Sequence, residues 1–439
     1  MCSIYYVVQF LSKSATCHTP EKKPQLLRGV IFLRFEAAIF LYIMLMKKIM
    51  IVFGILILFI AEILRVYFIM PFPGSQNADT INIAWFLHKN ILYIRLAALL
   101  LIAFALFRNF PQWKKWKKFV FIFFMLMYSV VFYMVNYKFL ADKMFYQPTN
   151  KNMFDSNANK VSLEKLVVGV VINNEARAYP VEIIGYHHQV QDTVGSQPVM
   201  VTYCTVCRTG RVFSPFVDGK KENFRLVGMD HFNAMFEDNT TKSWWRQVTG
   251  EAITGPLKGK ILEEIPSQQM TLAAWLRAYP YSLILQPDSL FKKEYDDLAG
   301  FDKGTIESGL EKRDSSSWQL KSWIVGVQEN GFAKAYDWNE LISKKIIHDS
   351  LPGLPLVIFV EPDSASFHVW NRQVNNLTLS FVIDSSGMKD LNTQSLWNFD
   401  GRCTEGELKG GKLKPVQGSQ EFWHSWKTFY PNTIIYKGK

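Results

Sequence analysis

Residues 167–180 read Val-Val-Gly-Val-Val-Ile-Asn-Asn-Glu-Ala-Arg-Ala-Tyr-Pro, and residues 324–337 read Ile-Val-Gly-Val-Gln-Glu-Asn-Gly-Phe-Ala-Lys-Ala-Tyr-Asp. Each is a pair of β-prone segments separated by turn residues. Gly169, Ala178, Tyr179, Asp192 and Pro198 recur at one constant offset as Gly326, Ala335, Tyr336, Asp349 and Pro355. After a small shortening of the register, Trp245, Gly250, Gly255, Trp275, Tyr279 and Pro280 recur as Trp397, Gly401, Gly406, Trp426, Tyr430 and Pro431. Two units of about one small-domain length predict a tandem pair rather than a solenoid. Residue types kept in both copies are expected to be scaffold. Cys204 and Cys207 fall opposite Glu361 and Ser364, so their chemistry belongs to the first copy alone.

Outward from this pair, the sequence predicts repeat 1 over 161–287, a charged linker over 288–317 and a degenerate repeat 2 over 318–439. Each copy reads as mainly β with one closing helix, Thr271 to Ala278 in the first and Glu421 to Phe429 in the second, both ending before a proline. Residues 139–160 are polar and read as a tether.

The N-terminal part follows other rules. Before Phe139 there are 16 Lys or Arg against 4 Asp or Glu, and after it 33 against 34, so the basic excess belongs to the N-terminal region. A nucleic-acid footprint would place that excess on the folded domain, and this class is set aside. Ile49 to Met70, Ile91 to Phe107 and Phe119 to Tyr137 are apolar enough to span a bilayer, predicting three transmembrane helices within 46–138. Lys47 and Lys48, with the basic loop around Trp113 to Lys118, predict by the positive-inside rule a multi-pass membrane protein whose C-terminal domain is extracytoplasmic. The expected fold class is therefore an α-helical transmembrane region followed by a mainly β extracytoplasmic domain built from two tandem repeats. Residues 1–45 fit poorly, since Arg34 and Glu36 interrupt their apolar run, and Met46-Lys47-Lys48 reads as an alternative start. Glu62, Arg65 and Arg95 are expected to neutralise one another within the helices.

The run Val201-Thr202-Tyr203-Cys204-Thr205-Val206-Cys207-Arg208-Thr209-Gly210, with Ser243 to Ala252 further on and the Phe422, Trp423, Trp426 signature in the second copy, resembles the prokaryotic domain of unknown function family 3179. The resemblance covers about Val167 to Tyr436 and implies no activity. The family's usual motif has Pro-Leu between the cysteines and Gly after the second, where Thr205, Val206 and Arg208 stand here. His187 matches the family's histidine, and His188 departs from its glutamate.

Two cysteines three apart can hold a soft metal, exchange disulfides or staple a turn. The residues after Cys207 predict a strand-turn-strand setting, which presents two thiols on one side. A metal would need further ligands. Copper or zinc is the expected ion, with Cys204, Cys207, His187 and His231 as candidate ligands on a membrane protein facing an oxidising space. The alternatives are a membrane-tethered thiol-disulfide oxidoreductase using Cys204 and Cys207, and an assembly module in which they form a structural disulfide. Neither haem nor nucleotide is expected: Arg208 follows Cys207 where c-type haem attachment needs His, and Gly406 to Lys412 is followed by Leu413 where a phosphate loop needs a hydroxyl.

Overall fold

The computed structural model describes residues 24–384 and 387–438, with side chains from residue 35 onward. Cys2 and Cys17 lie outside the described residues. Three long helices come first: α1 (Pro24–Tyr67), α2 (Ile81–Leu106) and α3 (Lys115–Met134), the last continued by a π-helical turn over Val135–Phe139. Three segments, Phe35–Tyr67, Ile81–Leu106 and Lys115–Phe139, are long and apolar enough to cross a membrane, with mean hydropathies of 2.7, 1.8 and 2.1. Both α1 and α2 begin earlier than hydropathy predicts. Arg34, Glu36, His88 and Lys89 are acceptable helix residues even where they are poor membrane residues, and no proline interrupts α1 after Pro24.

The described residues form two compact units: those up to Ala61 together with Ile91–Val130, and Glu62–Asn90 together with those from Val131 onward. In the first unit Gly54 lets α1 and α2 touch, since a Cβ there would lie 2.6 Å from Ile102 Cγ1. Leu58, Ala98, Ile102 and Ala105 are buried, while Leu56, Phe104, Phe119 and Phe123 are exposed.

In the second unit, Glu62 and Arg65 are fixed by a residue the hydropathy pattern gave no reason to single out. Arg65 donates to Asn136 Oδ1 at 2.8 Å, and Asn136 Nδ2 lies 3.4 Å from Glu62 Oε2, so an amide links the two charges. The rest of this unit is mainly β, in many small sheets. Leu166–Ile172 sits between Ser267–Thr271 and Glu175–Pro180, which pairs in turn with Leu283–Leu285. Trp323–Glu329 sits in the same way between Gly418–Phe422 and Phe332–Asp337, which pairs with Ile434–Ile435.

Shared residue types explain the shared geometry. Gly169 pairs with Ala178, and a Cβ on it would lie 2.1 Å from Trp275; Gly326 pairs with Ala335, and a Cβ on it would lie 2.3 Å from Trp426. The indole needs the bare backbone. The Tyr179 hydroxyl donates to Asp192 at 2.8 Å and the Tyr336 hydroxyl to Asp349 at 2.9 Å. Buried Trp245 and Trp397 donate to Asp238 and Asp390 at 3.0 and 2.9 Å.

Three features differ from the sequence reading. A short helix precedes a three-stranded sheet in the first half and a four-stranded one in the second, Val181–His187 and Trp338–Lys344, each closed by a residue with left-handed backbone, His188 at φ +61° and Lys345 at φ +60°. Seven residues are too few for a helical period to stand out. The segment read as a tether is folded onto the body: Met153–Phe154 pairs with Leu283–Leu285, and Asp288 accepts the backbone N–H groups of Thr149 and Asn150 at 3.1 and 3.0 Å. The stretch read as a linker buries Tyr295 and Phe301, two apolar anchors within charged sequence.

Candidate functional site

Cys204 ends the strand Gln197–Cys204 and pairs with Thr209, the first residue of Thr209–Phe213. The intervening turn closes with an Arg208 N–H to Thr205 carbonyl bond of 3.2 Å and Arg208 at φ +56°. Strand-turn-strand geometry thus puts both sulphurs on one side. Both thiols donate to the Phe232 carbonyl, at 3.5 Å from Cys204 and 3.3 Å from Cys207, and neither cysteine is exposed. They are free thiols, as is Cys403.

Phe232 and His231 form the two-residue tip of the hairpin Phe224–Asp230/Asn233–Asp238, with φ of +66° and +50°, the left-handed pair that a tight hairpin turn requires. Non-glycine residues in that region carry strain, so the tip is held from outside. Gln76 accepts the Phe232 N–H at 3.2 Å, and Ile69 accepts the Met229 N–H at 2.8 Å. Gly228 is needed for that approach, as a Cβ would lie 2.4 Å from the Ile69 carbonyl oxygen.

The second half completes the enclosure. Lys321 Nζ donates to the Val206 carbonyl at 2.7 Å and lies 3.2 Å from His424 Nε2, and the Phe422 N–H donates to the Cys207 carbonyl at 2.9 Å. The Phe232 and His424 rings meet edge to face at 6.2 Å. Burial drives the His424 imidazole down to about 4, so it is neutral near pH 7.

Electrostatics separate the two thiols. Burial alone would raise Cys204, but the Cys207 thiol, the N–H groups of Ala234 and Cys207, and the Lys321 charge together hold it below its ordinary value. Burial and the neighbouring Cys204 push Cys207 well up. Ser425 draws the Cys207 thiol back down against this rise, and its hydroxyl donates to Glu421 Oε2 at 3.2 Å. Glu421 is fully buried, and burial pushes its carboxyl up to about 7 against the pull of Arg211 at 2.7 Å. A sulphur, a hydroxyl and a carboxyl able to hold a proton near neutral pH therefore lie in series.

The candidate histidines are occupied elsewhere. His187 Nε2 meets the Tyr295 hydroxyl at 2.7 Å and its Nδ1 the Tyr146 carbonyl at 2.5 Å. His231 Nδ1 meets Asp230 at 2.7 Å, and its Nε2 lies 3.5 Å from Asp79. Of the four candidate ligands only Cys204 and Cys207 come together, and among the described residues no group of three or more His, Cys, Asp or Glu is placed to hold a metal ion.

Sequence reasoning missed Lys321, Glu421, His424 and Ser425. The internal comparison, run in reverse, carried the signal: in the register of the two sequences these stand opposite Glu164, Met270, Ala273 and Ala274. A search only for what residues 161–287 keep overlooks what residues 318–439 add to them.

No curated protein and no solved structure matches this chain. The model of the family described as protein of unknown function (DUF3179) matches residues 147–433, about two thirds of the chain and all of the elements that build the thiol site except the Ile69–Gln76 support, and the chain belongs to that family.

Proposed function

We propose that the chain is a membrane-anchored thiol-disulfide oxidoreductase whose redox centre is Cys204 and Cys207. The observation that carries this reading is a pair of buried free thiols on one turn, with Lys321 bound to the carbonyl between them and the Ser425 hydroxyl and Glu421 carboxyl of the other half on the far side. In the reducing direction, the Cys204 thiolate attacks a substrate disulfide and forms a mixed disulfide, releasing one substrate thiolate. Cys207 passes its proton through Ser425 to Glu421 and attacks Cys204. The second substrate thiolate leaves, the pair is oxidised to a disulfide, and two electrons have moved to the substrate. Lys321 favours the thiolate through its charge. Because both thiols are covered, the Phe232 tip has to move aside to admit a substrate.

In this proposal the two halves arose by duplication, with repeats over 161–287 and 318–439. The second became a wall of the first one's site rather than a second site. With three membrane-spanning helices and the basic loops inside, the redox domain faces the extracytoplasmic space, where disulfide chemistry is useful.

A second reading is favoured by one observation: the two sulphurs lie in an apolar cluster with Met200, Met229 and Met235, a soft environment that suits copper(I) more than zinc. One experiment separates the readings. Anaerobically purified, reduced protein is analysed for metal, and the Cys207→Ser variant is mixed with a model disulfide. Oxidoreductase chemistry gives a metal-free protein and a trapped mixed disulfide on Cys204. Stoichiometric copper or zinc lost with either cysteine would replace it with the metal reading, and a wild-type disulfide that resists mild reduction would leave only a structural staple.

A further inference from the structure

The counterpart of the thiol turn in the second half is Glu361 to Ser364, between the strands Leu354–Val360 and Phe367–Asn371. With facing residues of the first half it borders a cavity of about 890 Å³. Glu361 is buried and neutralised there, 2.7 Å from both Arg277 and His368. The cavity wall beside it is built differently. Trp323, 6% exposed, carries two guanidinium groups over its ring, Arg208 at 3.6 Å and Arg313 at 4.1 Å. Both lean on neutral acceptors. Arg208 donates to Gln420 Oε1 at 2.9 Å and to the carbonyls of Phe301 and Asp302, and Arg313 donates to Asn339 Oδ1 at 2.8 Å.

Three polar atoms at this wall are shielded and without a hydrogen-bond partner: Trp323 Nε1, Arg313 Nε and Asp302 Oδ1. A buried donor without an acceptor is costly, and these two donors lie beside guanidinium groups that feel the charges of Asp302 and Asp337 but make no direct ion pair with either, a place suited to an anion. The nature of the anion is set by the surroundings. Glu164, Asp302 and Asp363 border the cavity together with Lys303, Arg208 and Arg313, while Glu361 and Arg277 satisfy each other, so acidic and basic groups balance and a single negative charge between Arg208 and Arg313 is accommodated more readily than two. Leu163, Leu166, Ile342 and Phe399 supply apolar wall for the rest of the molecule.

We propose that this cavity binds a small organic monocarboxylate, its carboxylate accepting from Trp323 Nε1 and Arg313 Nε and its apolar body lying against Leu163, Ile342 and Phe399. Binding at this wall is independent of the thiol chemistry, since none of these side chains touches Cys204 or Cys207.

The test is isothermal titration of the purified full chain in detergent with sodium benzoate, using benzyl alcohol and inorganic phosphate as comparison probes. One saturable site for benzoate is expected, weakened at least tenfold by Arg313→Gln and several-fold by Trp323→Phe, with no saturable binding of benzyl alcohol. Cys204→Ser should bind benzoate as the wild type does, which keeps this result separate from the redox reading. Thermal melting of each variant checks folding, and if Arg313→Gln does not fold, Trp323→Phe and Arg313→Lys carry the comparison. Absence of saturable benzoate binding in the wild type, equal affinity in the folded variants, or tighter binding of phosphate than of benzoate would overturn the proposal.

Discussion

The turn at Cys204–Cys207 and the turn at Glu361–Ser364 occupy the same position in two halves with the same strand order, yet one is sealed and the other opens on a cavity. Around the first, a hairpin with its tip at His231 and Phe232 reaches over the sulphurs, and Lys321, His424 and Ser425 close the far side. Around the second, the corresponding hairpin strands are shorter, Phe381–Asp384 and Gly387–Asp390, and the helix facing the turn presents Ala273 and Ala274. The difference teaches that the scaffold is indifferent to chemistry. A few extra residues in one hairpin and a few polar side chains on one helix decide whether the site is a reactive pair or a pocket.

The comparison breaks most visibly if the halves are separated. A chain ending at Ser317 loses Gln420 and Trp323 from Arg208, and Glu421 from Arg211, leaving Arg208 with the Phe301 and Asp302 carbonyls and Arg211 with the Val248 carbonyl and Glu264 at 3.6 Å. Breaking the buried Arg211–Glu421 pair alone costs about 3–5 kcal/mol, so the truncated chain should aggregate on expression; a soluble product with the full-length melting temperature would show that the halves are independent.

Equivalence of the scaffolds is tested by Gly169→Ala and Gly326→Ala. Each added methyl would meet its tryptophan at 2.1 or 2.3 Å, and overpacking of this kind costs about 3 kcal/mol. Denaturant titration should give similar losses for both. A large loss at one and none at the other would mean that the shared residue types do different jobs.

Stability against pH sharpens the contrast between His188 and its counterpart Lys345. Burial lowers the His188 imidazole from 6.5 to about 4. The unfolded chain therefore binds a proton that the folded chain refuses between those values. Stability present above pH 6.5 is lost as pH falls through this window, by about 3 kcal/mol at most. His188→Gln should flatten that part of the stability curve, and an unchanged slope would mean that His188 titrates normally.

The smallest expected effects are kinetic. Lys321→Met removes a positive charge from the thiols and should raise the Cys204 pKa, slowing alkylation at pH 7 about threefold to tenfold. Phe232→Ala should speed alkylation of both cysteines by uncovering them. Rates that respond to neither substitution would separate the thiols from the residues assigned to them.

Much of the scaffold was legible because its signals are local. Gly169 and Gly326 announce a close approach, Trp275 and Trp426 supply the partner, and the segments around them are runs of β-prone residues between turn signals. The two short helices were not legible, because seven residues hold too little period to outweigh their β-prone neighbours. Cys204 and Cys207 were found as a pair by spacing, but His187 and His231 were grouped with them by residue type alone. Their rings turn instead to Tyr295 and Tyr146, and to Asp230, because each imidazole is satisfied by the acceptor its own surroundings bring nearest.

The sequence alone determined the apolar helices, the mainly β character of the C-terminal part, the family and the singular status of the two cysteines. Each of these depends on composition, period or recurrence along the chain. Only the tertiary structure decided that the pair is sealed by Phe232, that its thiols are unequal, and that Lys321, Glu421 and Ser425 from the other half stand beside it. Burial and charge act through space and fall off within a few ångströms. Residues separated by more than a hundred positions can therefore set the chemistry of a thiol without leaving any mark beside it in the sequence.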